Sequence, residues 1–526
     1  MLSVLPFLSR AWGVPTGPFG RRRCGTLERM DPPSRPQYAN AAAAGGFWTS
    51  LQAIANKVVS AGATFVLAYF LGPEDYGLAG IASSCLAAIA VLAPLSMGDV
   101  LVSHQRSLPL LARAGDRIAF VAGLAMAALA FVSIPVVLWL YPDAPAWKLA
   151  LLMAILALRP VFEAVYAAPL AGLRSELRYR TVAVIDGTSQ LAASVATVVL
   201  AVVGAGAFSL VVPQALVLGV RGAAYRRFWR PTRLPRASRR GMRLLLRPFA
   251  FAAFAQYVHN VLVMLEVLVL SLVADQRETG IFAFAFTLAS QANVMIAFQL
   301  GSVLQPIFGR IGNDRVRQAE ALLRTIRCLG SLLIPLSVIQ AALAPTLFRT
   351  LFSARWSDAE PVFIALSGLQ AVYFGAAPVM SFLKARRQFS TYLAWQAAQL
   401  ATSAVLFAAV GRSEGALGVA ACSAVVWGLA VPTMAFVGVR GAGVGFGAVI
   451  RAFLLPWFTA LPIGLAIWFV LGKLDSLQAP LQLGISLALA LTGLAAAVLL
   501  ARWTQPRAWD DLGPIVARVR GKLFRR

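Results

Sequence analysis

The chain has 526 residues, 59% of them hydrophobic and only 13% charged, with a mean hydropathy of +0.75; a soluble protein cannot cover its core with so few polar side chains, so the class is integral membrane. A net charge of +26 would suggest nucleic acid as the partner of a soluble chain. Here the arginines stand in short stretches between apolar runs, which is a pattern of membrane topology and excludes nucleic acid as the expected partner.

Residues 1–45 carry Arg21, Arg22 and Arg23 among prolines and glycines. Their apolar start is too short and too interrupted for a signal peptide, and they are read as a flexible cytoplasmic tail. Apolar segments of crossing length follow at 46–70, 77–103, 117–140, 146–170, 181–203, 206–228, 248–273, 279–304, 322–344, 360–383, 390–410, 415–438, 448–471 and 480–501. A helix needs roughly 20 apolar residues to cross about 30 Å of hydrocarbon. The expectation is therefore an all-α integral membrane protein with about 14 transmembrane helices; strand-like alternation is absent from the sequence.

Charge orders these segments. Of the 47 lysines and arginines, one side of the membrane receives Lys148, Arg277, Arg349, Arg355, Arg412 and Lys473, Lys57 and Arg159 fall inside crossings, and the rest lie in the tails and the alternate loops. By the positive-inside rule both termini are expected in the cytoplasm. The outer loops are short, the one at 349–360 being the longest, and leave no room for an outer catalytic domain.

The chain also repeats itself. Gln52 and Asn56 in the first segment answer to Gln256 and Asn260 in the seventh, and Gly77 after the turn Gly72-Pro73-Glu74-Asp75-Tyr76 answers to Gly280 after a second acidic turn. Tyr166 with Pro169 corresponds to Tyr373 with Pro378. The expected organisation is a first lobe at 46–228, a basic linker at 229–247, a second lobe at 248–438, an appended helix pair at 439–501 and a basic tail at 502–526. Six crossings per repeat is an even number, so the lobes would be parallel repeats related by an axis along the membrane normal.

Cys24, Cys85, Cys328 and Cys422 are scattered without paired spacing, and His104 and His259 are the only histidines. No disulfide framework, metal site or cofactor is expected. Pro94, Pro135, Pro160, Pro169, Pro213, Pro335, Pro378 and Pro432 fall inside crossings, either as kinks of a moving bundle or as shapes of its packing.

Ionisable groups at membrane depth cost roughly 3 kcal/mol and normally face a cavity or a partner. The candidates are Lys57 beside Asn56, Arg159 and Glu163 four residues apart, His259 and Glu266 in the seventh segment, and the amides Gln52, Asn56, Gln256, Asn260 and Asn293. One reading puts them on the wall of a hydrated central cavity, cations towards an anionic headgroup and amides towards sugar hydroxyls. The other makes Arg159 and Glu163 a self-neutralising pair, the amides interhelical glue and His259 a packing residue. Ten arginines and no acid between Arg221 and Arg247 suit either an anionic lipid or diphosphate, or an ordinary positive-inside linker. No catalytic residue is assigned.

The stretch LGPEDYGLAGIA at 71–82, RYRTVAVID at 178–186 and the duplicated six-helix unit together resemble the polysaccharide transporter branch of the multidrug/oligosaccharidyl-lipid/polysaccharide exporter superfamily, over roughly 46–440. The resemblance implies a two-lobed bundle that moves undecaprenyl-diphosphate-linked oligosaccharide between leaflets of the bacterial inner membrane by alternating access. It carries over no substrate-contact residue. Expected partners are the lipid-linked oligosaccharide, membrane lipids, a polysaccharide polymerase and a chain-length regulator. The alternatives are a membrane polymerase or lipid-sugar transferase, a peptidoglycan-precursor flippase, and a multidrug or ion antiporter. No phosphate-binding loop stands in a fitting context, so the chain is not expected to hydrolyse ATP; an ion drive through Glu163, Glu266 or His259 is the remaining expectation.

Overall fold

A computed structural model describes residues 52, 56, 59–104, 107–176, 178–229, 239–311, 314–386, 388–474 and 478–504, apart from some side chains within the helices. The described residues are almost wholly helical and contain no strand. Among the described residues ten helices, some of them uniting two neighbouring segments, are long and apolar enough to cross a membrane, and the chain is a multi-pass membrane protein.

In order, the first half holds α1 (Val59–Phe70), α2 (Pro73–Ile89), α3 (Ser96–Ser103), α4 (Leu108–Leu140), α5 (Ala146–Ala157), α6 (Arg159–Ser175), α7 (Tyr179–Val202) and α8 (Phe208–Phe228). The second half holds α9 (Arg239–Val273), α10 (Gln276–Arg310), α11 (Arg315–Leu351), α12 (Ala359–Tyr373), α13 (Ala376–Ala385) and α14 (Phe389–Val439). A last group is α15 (Phe446–Leu454), α16 (Trp457–Gly472) and α17 (Ala479–Thr504).

Local chemistry explains the helix boundaries. Pro73 occupies the first helical position of α2, where its missing N–H costs nothing, and the Asp75 carboxylate accepts from the Gly72 N–H at 3.2 Å. The reversal expected over 72–77 is thus confined to Leu71 and Gly72, and helix resumes at once. At the matching place in the second half, Asp275 caps α10 by accepting from the Glu278 N–H at 2.7 Å. The single crossing expected at 77–103 is broken between Ile89 and Ser96, because Pro94 lacks a donor and disfavours helix in the residue before it. Pro160 similarly starts α6 after a break at Leu158, whereas Pro135, Pro169, Pro213, Pro335 and Pro432 sit within continuous helices.

Helix α14 is a hairpin, not a rod. A straight helix of 51 residues would be about 75 Å long, yet its two ends meet α13: the Lys384 ammonium lies 5.5 Å from the Tyr392 ring and the Arg386 guanidinium donates to the Gly438 carbonyl at 2.8 Å. The reversal is at Gly415, with φ 58° and ψ −143°, a conformation that side-chain-bearing residues avoid. The Glu278 carboxylate closes it by accepting from the Ala416 N–H at 2.8 Å. Gly415→Ala is expected to destabilise the protein by about 1–3 kcal/mol, read as a lowered melting temperature in detergent.

The two halves exchange helix ends. Leu245, Phe249 and Ala253 at the start of α9 belong to the core formed by Met97, Leu111 and Tyr225. Further along α9, Leu262, Leu265 and Leu270 join the core of the second half with Phe282, Leu369 and Trp427, and so do Leu67, Ala68 and Leu71 at the end of α1. The final helices lie against α11, where Ile467 and Leu471 pack on Ile339 and Ala342.

Candidate functional site

The seam between the halves is built differently at its two ends. At the end carrying the α1–α2 and α9–α10 turns, backbone meets backbone. A Cβ on Gly77 would collide with the Gln276 carbonyl, and one on Gly280 with the Pro73 carbonyl, so only glycine permits α2 and α10 to approach so closely. The Gln276 side-chain amide donates to the Glu74 carbonyl at 2.7 Å, the Trp356 indole to the Ala68 carbonyl at 2.8 Å, and Arg355 to the Tyr69 carbonyl. Trp356 is fully buried, with Phe284 at 4.0 Å and Tyr76 at 5.4 Å between ring centroids. Nearby, Tyr141 and Ser271 share a hydrogen bond of 2.7 Å across the seam.

Towards the arginine-rich end the halves meet through side chains, above all Leu245, Phe249 and Ala253 of α9 in the core of the first half. The Tyr257 hydroxyl donates to the Ala88 carbonyl at 2.9 Å, and beyond it Asp99 of α3 and Lys384 of α13 lie on opposite sides of the seam without forming an ion pair. Asp99 lies 3.8 Å from Arg174 within its own half. The His259 Nδ1 is buried and has no hydrogen-bond partner among the described residues.

The residues singled out from the sequence fall into separate groups. Arg159 Nε and Glu163 Oε1 are 2.9 Å apart, the arginine half exposed. They open a polar column in the first half that sequence reasoning missed: Tyr166 stacks on Tyr225, whose hydroxyl donates to Asp186 at 2.8 Å, and Arg221 stands 3.3 Å from the same carboxylate. The signal was available, since Asp186 is an acid in an apolar run and Arg221 a cation four residues before Tyr225. Arg159→Gln is expected to cost about 1–3 kcal/mol by leaving Glu163 unpaired at depth. Melting of Arg159→Gln/Glu163→Gln should return most of that loss, as for a double-mutant cycle between coupled groups.

In α9 the Gln256 amide donates to the Asn260 side chain at 2.8 Å, both exposed, so this pair bonds along its own helix. Gln52 and Asn56 are helical and half-buried, Gln52 lying beside Gly187 of α7. Asn293 lies on α10, its side chain outside what is described, and Lys57 lies outside the described residues.

Glu266 turns away from the seam into the second half. It is 3% exposed, and its Oε1 accepts from the Ser423 hydroxyl at 2.8 Å and from the Trp427 indole at 3.4 Å. Beside it is a cavity of about 170 Å³ whose walls include Ser290, Gln370, Tyr373 and Trp427. Among the described residues no group of three or more His, Cys, Asp or Glu side chains is placed to hold a metal ion.

The profile of a family described as polysaccharide biosynthesis protein matches residues 66–361, more than half of the chain. The succinoglycan biosynthesis transport protein ExoT of Rhizobium meliloti (strain 1021) is 25% identical over 377 residues, covering 71% of this chain and 74% of that protein. Among solved structures, the lipid II flippase MurJ in an inward closed conformation is similar with a TM-score of 0.66 at 14% identity, covering 86% of this chain and 99% of that one. An inward-facing multidrug resistance transporter of the MATE family gives a TM-score of 0.58 at 14% identity over 76% of this chain and 99% of its own. At such identities these two likenesses establish the fold.

Proposed function

Because the chain belongs to the polysaccharide biosynthesis protein family, we propose that it is a flippase carrying an undecaprenyl-diphosphate-linked oligosaccharide, a unit of exopolysaccharide, O antigen or capsule, across the bacterial inner membrane by alternating access. The coarser statement, a membrane transporter of the polysaccharide-biosynthesis kind, is supported by the family and by the succinoglycan transport relative. The observation that carries the finer reading is the asymmetric seam. One end is closed by backbone contact at Gly77 and Gly280, while the other is joined by side chains, with the Tyr257 hydroxyl on the Ala88 carbonyl and Leu245, Phe249 and Ala253 of α9 in the core of the first half. Alternating access needs two ends that seal in turn, each seal weak enough to be broken by a cargo that prefers the other state.

In this proposal the arginine-rich end and both termini face the cytoplasm. Lys57 and Arg159 meet the diphosphate, and Gln52, Asn56, Gln256, Asn260 and Asn293 meet sugar hydroxyls. Gln256 and Asn260 suit that role, because an exposed amide pair bonded to itself can exchange its partner for a hydroxyl at little cost. Arg159→Gln/Glu163→Gln is then expected to regain stability without regaining transport. A polymerase and its chain-length regulator consume the product on the far side. Deletion should abolish surface polysaccharide and trap the lipid-linked unit in the cytoplasmic leaflet, with restoration by the intact gene. Normal polymer in the deletion strain, or new glycosidic bonds made by the purified protein, would overturn the reading.

A further inference from the structure

A groove of about 450 Å³ runs between α4 and α9 on the first half, with Leu92 of the α2–α3 break lining it. Its chemistry changes along its length. On α4, Arg117 is followed one turn deeper by Val121, and on α9, Arg239 and Arg243 are followed by Leu246. Both helices run in the same direction from the arginine-rich end, so the guanidinium groups share one mouth and the apolar residues share the depth. Val121 and Leu246 are 61% and 55% exposed, and both belong to apolar membrane-spanning helices, so this wall opens sideways to the bilayer. Among the described residues no carboxylate lies within ion-pair distance of Arg117, Arg239 or Arg243.

We propose that this groove is a binding site for an anionic glycerophospholipid of the arginine-rich leaflet, its phosphate held by Arg117, Arg239 and Arg243 and one acyl chain laid along Val121 and Leu246 towards Leu92. The order of groups matches such a lipid, head at the surface and chain towards the midplane. Three guanidinium groups with no carboxylate partner among the described residues supply the charge complement that an apolar crevice alone lacks. The start of α9 forms one wall while its later residues belong to the core of the second half. The bound lipid therefore sits where the two halves are joined, on the flank of the bundle. The inference does not depend on the nature of the cargo.

The test is native mass spectrometry of the full chain in detergent, titrated separately with phosphatidylglycerol and phosphatidylcholine. Each basic residue near an anionic lipid is worth roughly fivefold in affinity, so Arg117→Gln/Arg239→Gln/Arg243→Gln is expected to weaken phosphatidylglycerol binding by about a hundredfold. The same charge change placed on the exposed Arg440, Arg451 and Arg502 should leave it unchanged, and wild type should prefer phosphatidylglycerol over phosphatidylcholine. Should the triple variant fail to fold, Val121→Trp keeps every charge, fills the apolar half and should weaken binding at least tenfold. The proposal is overturned if the groove variants bind as wild type does, if the control triple loses as much, if the two lipids bind equally, or if undecaprenyl phosphate displaces phosphatidylglycerol at a tenth of its concentration.

Discussion

Gly280→Val is expected to hold the two halves apart at the turn end and to reduce transport to background while the protein remains folded in the membrane. A Cβ at Gly280 would be driven into the Pro73 carbonyl and to 2.8 Å from the Gly77 nitrogen, and both obstacles are backbone. No rotamer change relieves such a clash; the helices must separate, and with them the Gln276–Glu74 and Trp356–Ala68 hydrogen bonds that flank the contact. The pair is reciprocal, so Gly77→Val should act in the same way through the Gln276 carbonyl. Separation is directly measurable: with the native cysteines replaced, Glu74→Cys/Gln276→Cys should be bridged by a short thiol crosslinker in an otherwise unaltered chain and escape it when Gly280→Val is added. Gly368, where a Cβ would meet nothing within 4 Å, supplies the control, since Gly368→Val should leave crosslinking and transport unaltered. Wild-type transport by Gly280→Val with crosslinking intact would remove the turn-end seal from the mechanism.

That contact shows how far the sequence could be read. Length and hydropathy are local properties, so the helical segments from Val59 onward could be marked from residue types alone, and the likeness of Gly77 to Gly280 is visible by eye. That the two glycines face each other is not, because nothing in either turn names its partner. Arg159 and Glu163 were legible as a pair, four residues being one helical turn. The partners of Glu266 were not: Ser423 and Trp427 lie 157 and 161 residues away, and in a uniformly apolar helix no periodicity says which face turns inward. The same uniformity hid the path of α9, whose start and end serve different cores. Lys384 passed for a loop cation, yet it belongs to α13 and its ammonium lies 5.5 Å from the Tyr392 ring of another element. Helix breaks were not legible from proline alone, since Pro160 starts a new helix within a segment read as one crossing, whereas Pro169 and Pro213 sit inside continuous helices.

Replacing Glu266 should separate a structural acceptor from an ion carrier, and the two substitutions that do so differ in a single property. Glu266→Leu removes the acceptor and strands the Ser423 hydroxyl and the Trp427 indole in the interior of the second half; a buried donor left without a partner costs about 1–3 kcal/mol, so a clear fall in melting temperature is expected. Glu266→Gln keeps a carbonyl oxygen where Oε1 now accepts both bonds, and should melt close to wild type. If the carboxylate is only a bond acceptor, Gln restores everything. We expect it not to: an acid fully enclosed beside a mainly apolar cavity of about 170 Å³, lined by Val263, Phe286 and Leu369 as well as Ser290, carries a desolvation cost that an amide acceptor avoids, and an intramembrane carboxylate that serves packing alone is replaceable by an amide. Glu266→Gln in proteoliposomes should therefore transport more than tenfold more slowly under an imposed proton or sodium gradient, with a residual rate that no longer responds to either gradient. A Gln variant that keeps the full gradient response would reduce Glu266 to a clasp between α9 and α14, and the drive would then have to enter through Glu163 or His259, on the other side of the seam or at its arginine-rich end.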